Sequence, residues 1–281
     1  MSAMSLKLED LGKAVRYLRL RPGASLLLAR CALHNAAGGL LTLVGKRSVR
    51  CNLCSWRGAR FAAYPDGMKL KRGQRCPRCA SSPRYRLFGR YLESRPEFRA
   101  GSTVFLEFAP EPCFAAWLRR TFPGFYLTTD LRSPLAAVHS DLMSLALRDG
   151  SVDVALCSHV LEHVPDDGAG LREIRRILKP SGWCILLVPW FAGLSATREY
   201  GSPNPLEHDH FRRYGEDFPQ RVTAAGFRVV RVPVGDIVDA GERLELGLAD
   251  GEILRAEPEV GPAAGRDVRD ARPGGSPRPG S

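Results

Sequence analysis

Apolar runs and amphipathic stretches alternate through the middle of the chain. The segments at residues 103–108, 152–157 and 183–189 are mainly apolar and are bounded by polar turns, which is typical of strands buried on both faces. Residues 168–178 lie between the last two segments and carry apolar side chains at helical spacing. Two buried strands joined by a crossover helix form a parallel βαβ unit, which needs helices on both faces of its sheet. The pattern predicts a doubly wound, mostly parallel α/β sheet.

Weaker patterns complete this sheet. The further elements expected are strands at residues 125–129, 136–139, 227–232 and either 244–248 or 251–255, helices at 84–92, 114–121 and 214–225, and a long irregular insert at 189–205. Open parallel sheets bind their ligands in the crevice outside the carboxyl ends of the strands. The polar loop that begins at Ser158 is therefore where the chemistry is expected.

The two ends of the chain differ from this middle part. Leucine spacing predicts a helix at residues 6–21, and residues 24–44 predict a helical pair that packs on the body of the protein. Arg30 and His34 interrupt the second run, so a membrane span is not expected, and a basic interfacial helix is the alternative. The residues after 257 are mostly Gly, Pro, Ala, Arg and Asp, a composition that predicts a disordered tail.

The charge of the chain is concentrated in one stretch. Of a net charge of +11, thirteen Lys and Arg residues lie within residues 50–99, opposed there by three acids. Such a cluster favours nucleic acid, an anionic membrane surface or an acidic substrate. A solvated basic face accounts for it equally well, because charge alone identifies no partner.

Four of the eight cysteines stand as two CxxC pairs, Cys51 with Cys54 and Cys76 with Cys79. Two such pairs at this separation supply the four thiolates that a tetrahedral zinc ion requires. Because all four ligands come from the protein, the ion would stabilise the fold and would not catalyse. The other cysteines are scattered, which favours a reducing, cytoplasmic location, and no secretory signal is expected in the first residues.

We therefore expect four parts: an N-terminal helical segment at 1–48, a zinc-ribbon module at 49–92, the α/β domain at 93–257 and the tail at 258–281. Within the α/β domain, acidic residues end three successive strands. Asp130 follows the second strand, where a carboxylate can accept both hydroxyls of a ribose. Asp141 follows the third and can accept from an adenine amino group, while Glu107 ends the first and can orient the nearby loop or meet an ammonium group. S-adenosylmethionine carries all three of these groups.

Residues 103–232 resemble the class I S-adenosylmethionine-dependent methyltransferases of the type 11 group. The resemblance rests on the segments DGSVDVALCSHVLEHVPD and LREIRRILKPSGWCILLVP, and the two CxxC pairs add a likeness to a bacterial subgroup with an N-terminal zinc ribbon. It implies a seven-stranded sheet whose last strand is antiparallel. At matching positions it implies a first motif containing Glu107 and Ala109, and a ribose site at Asp130 and Leu131. It also implies an adenine contact at Asp141 and Leu142. Ser158 and His159 would then lie beside the methyl donor.

The first motif departs from the family pattern. Most members carry a glycine-rich loop, whereas this chain has EFAPEPCF without a glycine, so the loop is expected to be stiffer. Loss of cofactor binding, leaving a non-catalytic interaction protein, is the alternative that this loop keeps open.

Methyl transfer requires a positioned acceptor and, for a hydroxyl or protonated nitrogen, a base. The candidates are His159 and, in the segment EHDH, Asp209 and His210. EHDH could also bind a metal, but no second cluster is expected beside it. The predicted function is N- or O-methylation of a small molecule, sugar or lipid intermediate; an RNA methyltransferase that grips phosphate with the basic ribbon is the alternative.

Overall fold

A seven-stranded sheet runs through the computed structural model, which describes residues 24–66 and 69–259. The strands outside this sheet are β1 (Val49–Arg50), β2 (Arg57–Gly58), β3 (Ala62–Asp66), β4 (Lys69–Arg75), β10 (Arg198–Asn204) and β11 (His210–Arg213). Those within it are β5 (Val104–Phe108), β6 (Phe125–Asp130), β7 (Val138–His139), β8 (Val152–Ser158), β9 (Leu178–Leu187), β12 (Phe227–Pro233) and β13 (Glu252–Pro258). Their order is β12-β13-β9-β8-β5-β6-β7, and β13 runs antiparallel to both of its neighbours. The predicted fold class is confirmed.

Helices cover both faces of the sheet. They are α1 (Ala24–Leu43), α2 (Pro83–Glu93), α3 (Pro112–Thr121), α4 (Asp167–Ile177), α5 (Phe218–Ala224), α6 (Val234–Ile237) and α7 (Ala240–Glu245). Successive residues of β5 point to opposite faces, so Phe105 joins the core under α3 while Leu106 joins the core under α4. In α4, Leu171, Ile174 and Ile177 share the buried stripe that helical spacing predicts.

The ribbon strands β1 to β4 pack against the sheet. Leu53 and Phe61 of the ribbon share one apolar core with Phe105 and Trp117 of the α/β domain. Arg86 on α2 is fully buried, and its guanidinium donates to the carbonyls of Ser81 and Gln74 in the ribbon and of Leu246 after α7. The ribbon is thus held to the C-terminal part of the domain by a buried cation as well as by apolar contact.

The first described helix differs from the expected helical pair, because α1 is one continuous helix of 20 residues. Asn35 attaches it to the ribbon by accepting from the Ala63 amide at 2.7 Å. By length and composition, Leu26–Leu43 is the single helix of the described ranges that could span a membrane, and only 17% of that window is buried. One such helix is weak evidence for a span. The predicted helix at 6–21 and the tail after residue 259 lie outside the described residues.

Three further expectations are corrected in the C-terminal half. The insert at 189–205 is not wholly irregular, because β10 pairs with β11 in an antiparallel hairpin. The helix expected from Tyr214 begins only at Phe218, since the Tyr214 ring is buried beside that of Phe218 and its hydroxyl bonds Asp167. The last strand is Glu252–Pro258, and the alternative at 244–248 overlaps the helix α7.

Candidate functional site

Three predicted site residues lie together at the carboxyl edge of the sheet. Glu107 is near the end of β5, Asp130 ends β6 and Ser158 ends β8. These strands are adjacent and in register, with Phe108 opposite Thr129 on one side and Cys157 on the other. The strand-end residues therefore share one edge, as parallel pairing requires.

Glu107 is 1% exposed. One carboxylate oxygen accepts from the Glu111 amide at 3.1 Å, and the other accepts from the Tyr126 hydroxyl. Burial raises the pKa of Glu107 to about 7, although both hydrogen bonds lower it. This acid therefore fixes the loop that follows β5 from inside the protein.

Asp130 is held by its own turn. Its Oδ1 accepts from the amides of Arg132 at 2.7 Å and Ser133 at 2.6 Å, which leaves Oδ2 outside these bonds. Leu131 beside it is 57% exposed at the edge of the sheet. A fixed carboxylate next to an exposed apolar side chain suits a ribose and the base that it carries.

Asp141 follows β7 and accepts from the Met143 amide at 2.8 Å. Leu142 is 5% exposed and packs in the core, where a Cβ on Gly170 would come within 3.1 Å of its side chain. Its side chain therefore faces away from the cleft, and the predicted adenine contact would have to come from its main chain.

The glycine-free loop keeps a glycine-like turn. Ala109 has φ +49°, the left-handed region that favours glycine, and its amide bonds the Thr129 carbonyl at 2.9 Å. At the end of β8 the Ser158 hydroxyl is buried without a hydrogen-bond partner in the part of the chain that the structure describes. A buried hydroxyl without a partner, a free carboxylate oxygen on Asp130 and a tight turn at Ala109 fit a nucleoside ligand along this edge.

The predicted catalytic residues lie on two elements. His159 has φ +57°, and its Nδ1 lies 3.0 Å from Oε1 of Glu162, which is fully buried. His210 begins β11, and its ring centroid lies 4.7 Å from that of His163. Burial lowers the pKa of His210, so its neutral form dominates at neutral pH. Asp209 is exposed, and no hydrogen bond joins it to His210.

The expectation that EHDH has no second cluster beside it is wrong. One ligand atom from each of Glu162, His163 and His210 lies within 4.8 Å of the other two. Glu162 and His163 belong to the loop after β8, and Arg212 on β11 holds that loop against the hairpin. Arg212 was missed, although it stands two residues from His210 on the same face of a strand.

Trp190 lies after β9 and lines an open cavity of about 550 Å³ at the same edge of the sheet. Arg231 and Glu252, from the ends of β12 and β13, line it as well, and the Arg231 guanidinium stacks 5.2 Å over the Trp190 ring. Phe191 is 37% exposed beneath the Arg213 guanidinium.

The four ribbon cysteines form two matching knuckles. Ser55 and Ala80, the residues after each CxxC pair, both adopt φ near +60° and donate their amides to the carbonyls of Cys51 and Cys76. The Sγ atoms of Cys51 and Cys79 are 3.7 Å apart and those of Cys54 and Cys76 3.6 Å, near the roughly 3.8 Å that four sulfurs 2.3 Å from one zinc ion require.

Residues 99–186 match the family model described as a methyltransferase domain. A curated relative, an uncharacterized 37.1 kDa protein in transposon TN4556 of Streptomyces fradiae, is 43% identical over 49 residues, 17% of this chain and 14% of that protein. The match thus spans far less than two thirds of that relative.

Two similar solved structures are bacterial methyltransferases. The 1,6-didemethyltoxoflavin-N1-methyltransferase of Burkholderia thailandensis is 16% identical with a TM-score of 0.42, over 69% of this chain and 97% of that one. The geranyl diphosphate C-methyltransferase of Streptomyces coelicolor is 10% identical with a TM-score of 0.44, over 60% and 76%.

The sheet order, with one antiparallel strand next to its edge and polar strand ends on one side, defines a Rossmann-like α/β domain. Residues 99–186, which carry strands β5 to β8, are similar to the methyltransferase-domain family, and this similarity applies to the α/β domain.

Proposed function

We propose that this protein transfers a methyl group from S-adenosylmethionine to a nitrogen or oxygen of a small molecule, sugar or lipid intermediate. The observation that carries the proposal is the row of Glu107, Asp130 and Ser158 on three adjacent strands at one edge of the sheet. The cofactor supplies an electrophilic methyl group on a sulfonium, and the protein has to orient that group and the acceptor.

Each residue of the row has a role in holding the cofactor. Asp130, with one oxygen outside its turn, accepts from the ribose hydroxyls, and Leu131 covers the base. Asp141 and the main chain of Leu142 reach the adenine.

Ser158 donates its free hydroxyl to the ligand, and Glu107 holds the loop at Ala109 in the turn that lets the ligand approach.

His159 is the proposed proton acceptor. Its Nδ1 is hydrogen-bonded to Glu162, which fixes the ring and leaves Nε2 to take a proton from the acceptor. Asp209 and His210 are the second proposed pair on the hairpin, but Asp209 does not orient His210 through a hydrogen bond.

The basic stretch supports a small acceptor better than RNA. Arg50 and Arg90 are ion-paired with Glu242, and Arg86 is buried against carbonyl groups. These three cations are therefore engaged within the protein. The exposed Lys69, Arg72 and Arg75 keep RNA as a second candidate, which predicts RNA affinity that falls steeply with salt.

The ribbon is proposed to hold one structural zinc ion through Cys51, Cys54, Cys76 and Cys79. Four thiolates at tetrahedral spacing support this assignment. A closed site of this kind leaves no position for a substrate, so the ion would stabilise the packing of the ribbon on the sheet.

Calorimetric titration with S-adenosylmethionine tests the proposed function. The wild-type protein is expected to bind one equivalent, and Asp130→Ala is expected to weaken binding at least tenfold because the ribose hydroxyls lose their acceptor. Asp149→Ala is the matched control, since its exposed carboxylate precedes β8 at the opposite edge of the sheet. Folded wild-type protein that binds no cofactor would leave the interaction protein as the explanation. Equal affinities for the wild type and Asp130→Ala would remove the site assignment.

A further inference from the structure

The cluster of Glu162, His163 and His210 joins two segments that are 47 positions apart in the chain. Its ligand atoms lie within 4.8 Å of one another. Three nitrogen and oxygen ligands about 2.1 Å from a tetrahedral ion lie about 3.4 Å apart. The cluster therefore needs to close by at most about 1.4 Å, which rotation of the exposed His163 side chain can supply.

The burial of Glu162 is a second, independent observation. The residue is fully buried, yet among residues 24–66 and 69–259 its Oε2 has no hydrogen-bond partner, and its Oε1 meets only Nδ1 of His159. A buried carboxylate with an unpaired oxygen is costly unless a cation or donor compensates it. The ring nitrogens of His163 and His210 likewise have no hydrogen-bond or ion-pair partner within the described ranges. All three side chains thus retain free ligand atoms.

Arg212 makes the frame of the cluster rigid. It is 2% exposed and donates to the carbonyls of Leu161 at 2.8 Å, Val164 at 2.7 Å and Pro165 at 2.7 Å. These bonds attach the loop that carries Glu162 and His163 to the strand that carries His210. A site whose ligands come from separate segments requires such support to hold its geometry.

The ligand types identify the class of ion. Two imidazoles and one carboxylate suit first-row divalent transition metals, whereas magnesium and calcium prefer oxygen ligands alone. Three protein ligands leave at least one coordination position open, unlike the four thiolates of the ribbon. The ribbon therefore offers soft sulfur ligands in a closed site, whereas the cluster of Glu162, His163 and His210 offers harder nitrogen and oxygen ligands in an open one.

We propose that Glu162, His163 and His210 bind one first-row divalent metal ion, in an open site beside the carboxyl edge of the sheet. This assigns His210 to metal ligation in place of its role as a free base, while Glu162 also orients His159. Binding of the ion does not depend on the proposed methyl transfer. A role for the ion in methyl transfer, where it would hold an oxygen of the acceptor, rests on that proposed function.

Cobalt(II) tests the site, because its visible spectrum reports its ligands. The full-length protein is first given one equivalent of zinc, which the ribbon thiolates take preferentially, and is then titrated with Co²⁺. One further equivalent is expected to bind with the absorption bands of nitrogen and oxygen ligands and without thiolate charge-transfer bands. His163→Gln and His210→Gln are each expected to weaken this binding at least tenfold. His139→Gln, at the end of β7, is the matched control and is expected to leave it unchanged.

The inference is overturned if the wild type takes up no Co²⁺ beyond the ribbon, or if both His163→Gln and His210→Gln keep the wild-type affinity. Because His163 is exposed, its variant is expected to fold, and thermal unfolding of each variant checks this. Titration of the same samples with S-adenosylmethionine keeps the two proposals separate. Cofactor binding without Co²⁺ binding removes the metal site alone, and the reverse removes the proposed function alone.

Discussion

The ribbon and the histidine cluster both gather metal-ligand side chains, but they do so by different means. In the ribbon, two CxxC turns with the same backbone hydrogen bonds set the sulfur positions locally, and only the pairing of the two knuckles is long-range. In the cluster, the sheet, the loop after β8 and the hairpin each supply part of the geometry, and Arg212 holds the parts together. A site built from repeated local turns can be identified from spacing, whereas a site assembled by tertiary contacts cannot.

Removing one ribbon ligand is expected to give the largest effect. Cys76→Ser leaves three thiolates, so the ribbon should lose its metal and the free energy of unfolding should fall by on the order of 5 kcal/mol or more. Elemental analysis and chemical denaturation measure both quantities. Cys31→Ser is the matched control, since among the described residues the Cys31 thiol bonds only the Ala63 carbonyl and Asn35, contacts that a serine can keep. A wild-type zinc content near zero, or unchanged stability of Cys76→Ser, would contradict the ribbon assignment.

Arg212→Met is expected to break the assembled site while leaving the ribbon intact. The substitution leaves three carbonyls without their buried donor, so the free energy of unfolding should fall by about 3–5 kcal/mol. Hydrogen exchange should accelerate at residues 161–165, and the zinc content should stay the same. Arg198→Met on the exposed strand β10 is the control, expected to change stability by less than about 1 kcal/mol. Slow exchange retained at residues 161–165 would show that the frame does not depend on Arg212.

The same contrast explains what could be predicted from the sequence. Periodicity was sufficient for β5, β8 and residues 183–187 of β9, because strands covered on both faces are continuous apolar runs. It did not predict that β9 begins at Leu178, since the residues that follow are polar and partly exposed. It was insufficient for β10, whose residues are mostly exposed and which exists only because it pairs with β11. The contact between His163 and His210 has no sequence signal, since it depends on how the hairpin folds back over the loop. Spacing alone likewise did not identify Glu162 as a buried carboxylate.

Glu107→Gln is expected to remove a pH dependence of stability that arises at the carboxyl edge of the sheet. The pKa of Glu107 is raised from 4.5 to about 7 by burial, so the folded state binds the proton more tightly than the unfolded state. Its contribution is present below pH 4.5 and is lost as the pH rises through 7. Relative to Glu107→Gln, the wild type should lose about 3 kcal/mol over that range. Denaturation of both proteins from pH 4.5 to 8 measures the free energy of unfolding of the wild type relative to that of Glu107→Gln. A relative stability of the wild type that rises with pH would contradict the raised pKa.

The smallest expected effect compares one turn in each region. Ala109 in the loop after β5 and Ala80 in the second knuckle both adopt positive φ, at 49° and 61°. An alanine there carries a strain of about 1–2 kcal/mol that a glycine avoids, partly offset by the greater flexibility of glycine in the unfolded chain. Ala109→Gly and Ala80→Gly should therefore each raise the free energy of unfolding by about 1 kcal/mol or less. Ala116→Gly, on the exposed face of α3, should lower it by about 1 kcal/mol. If Ala109→Gly destabilised the protein as Ala116→Gly does, the assignment of a strained, glycine-like conformation to Ala109 would be wrong. Ala80 in the ribbon would then be the only one of these two alanines in a strained turn.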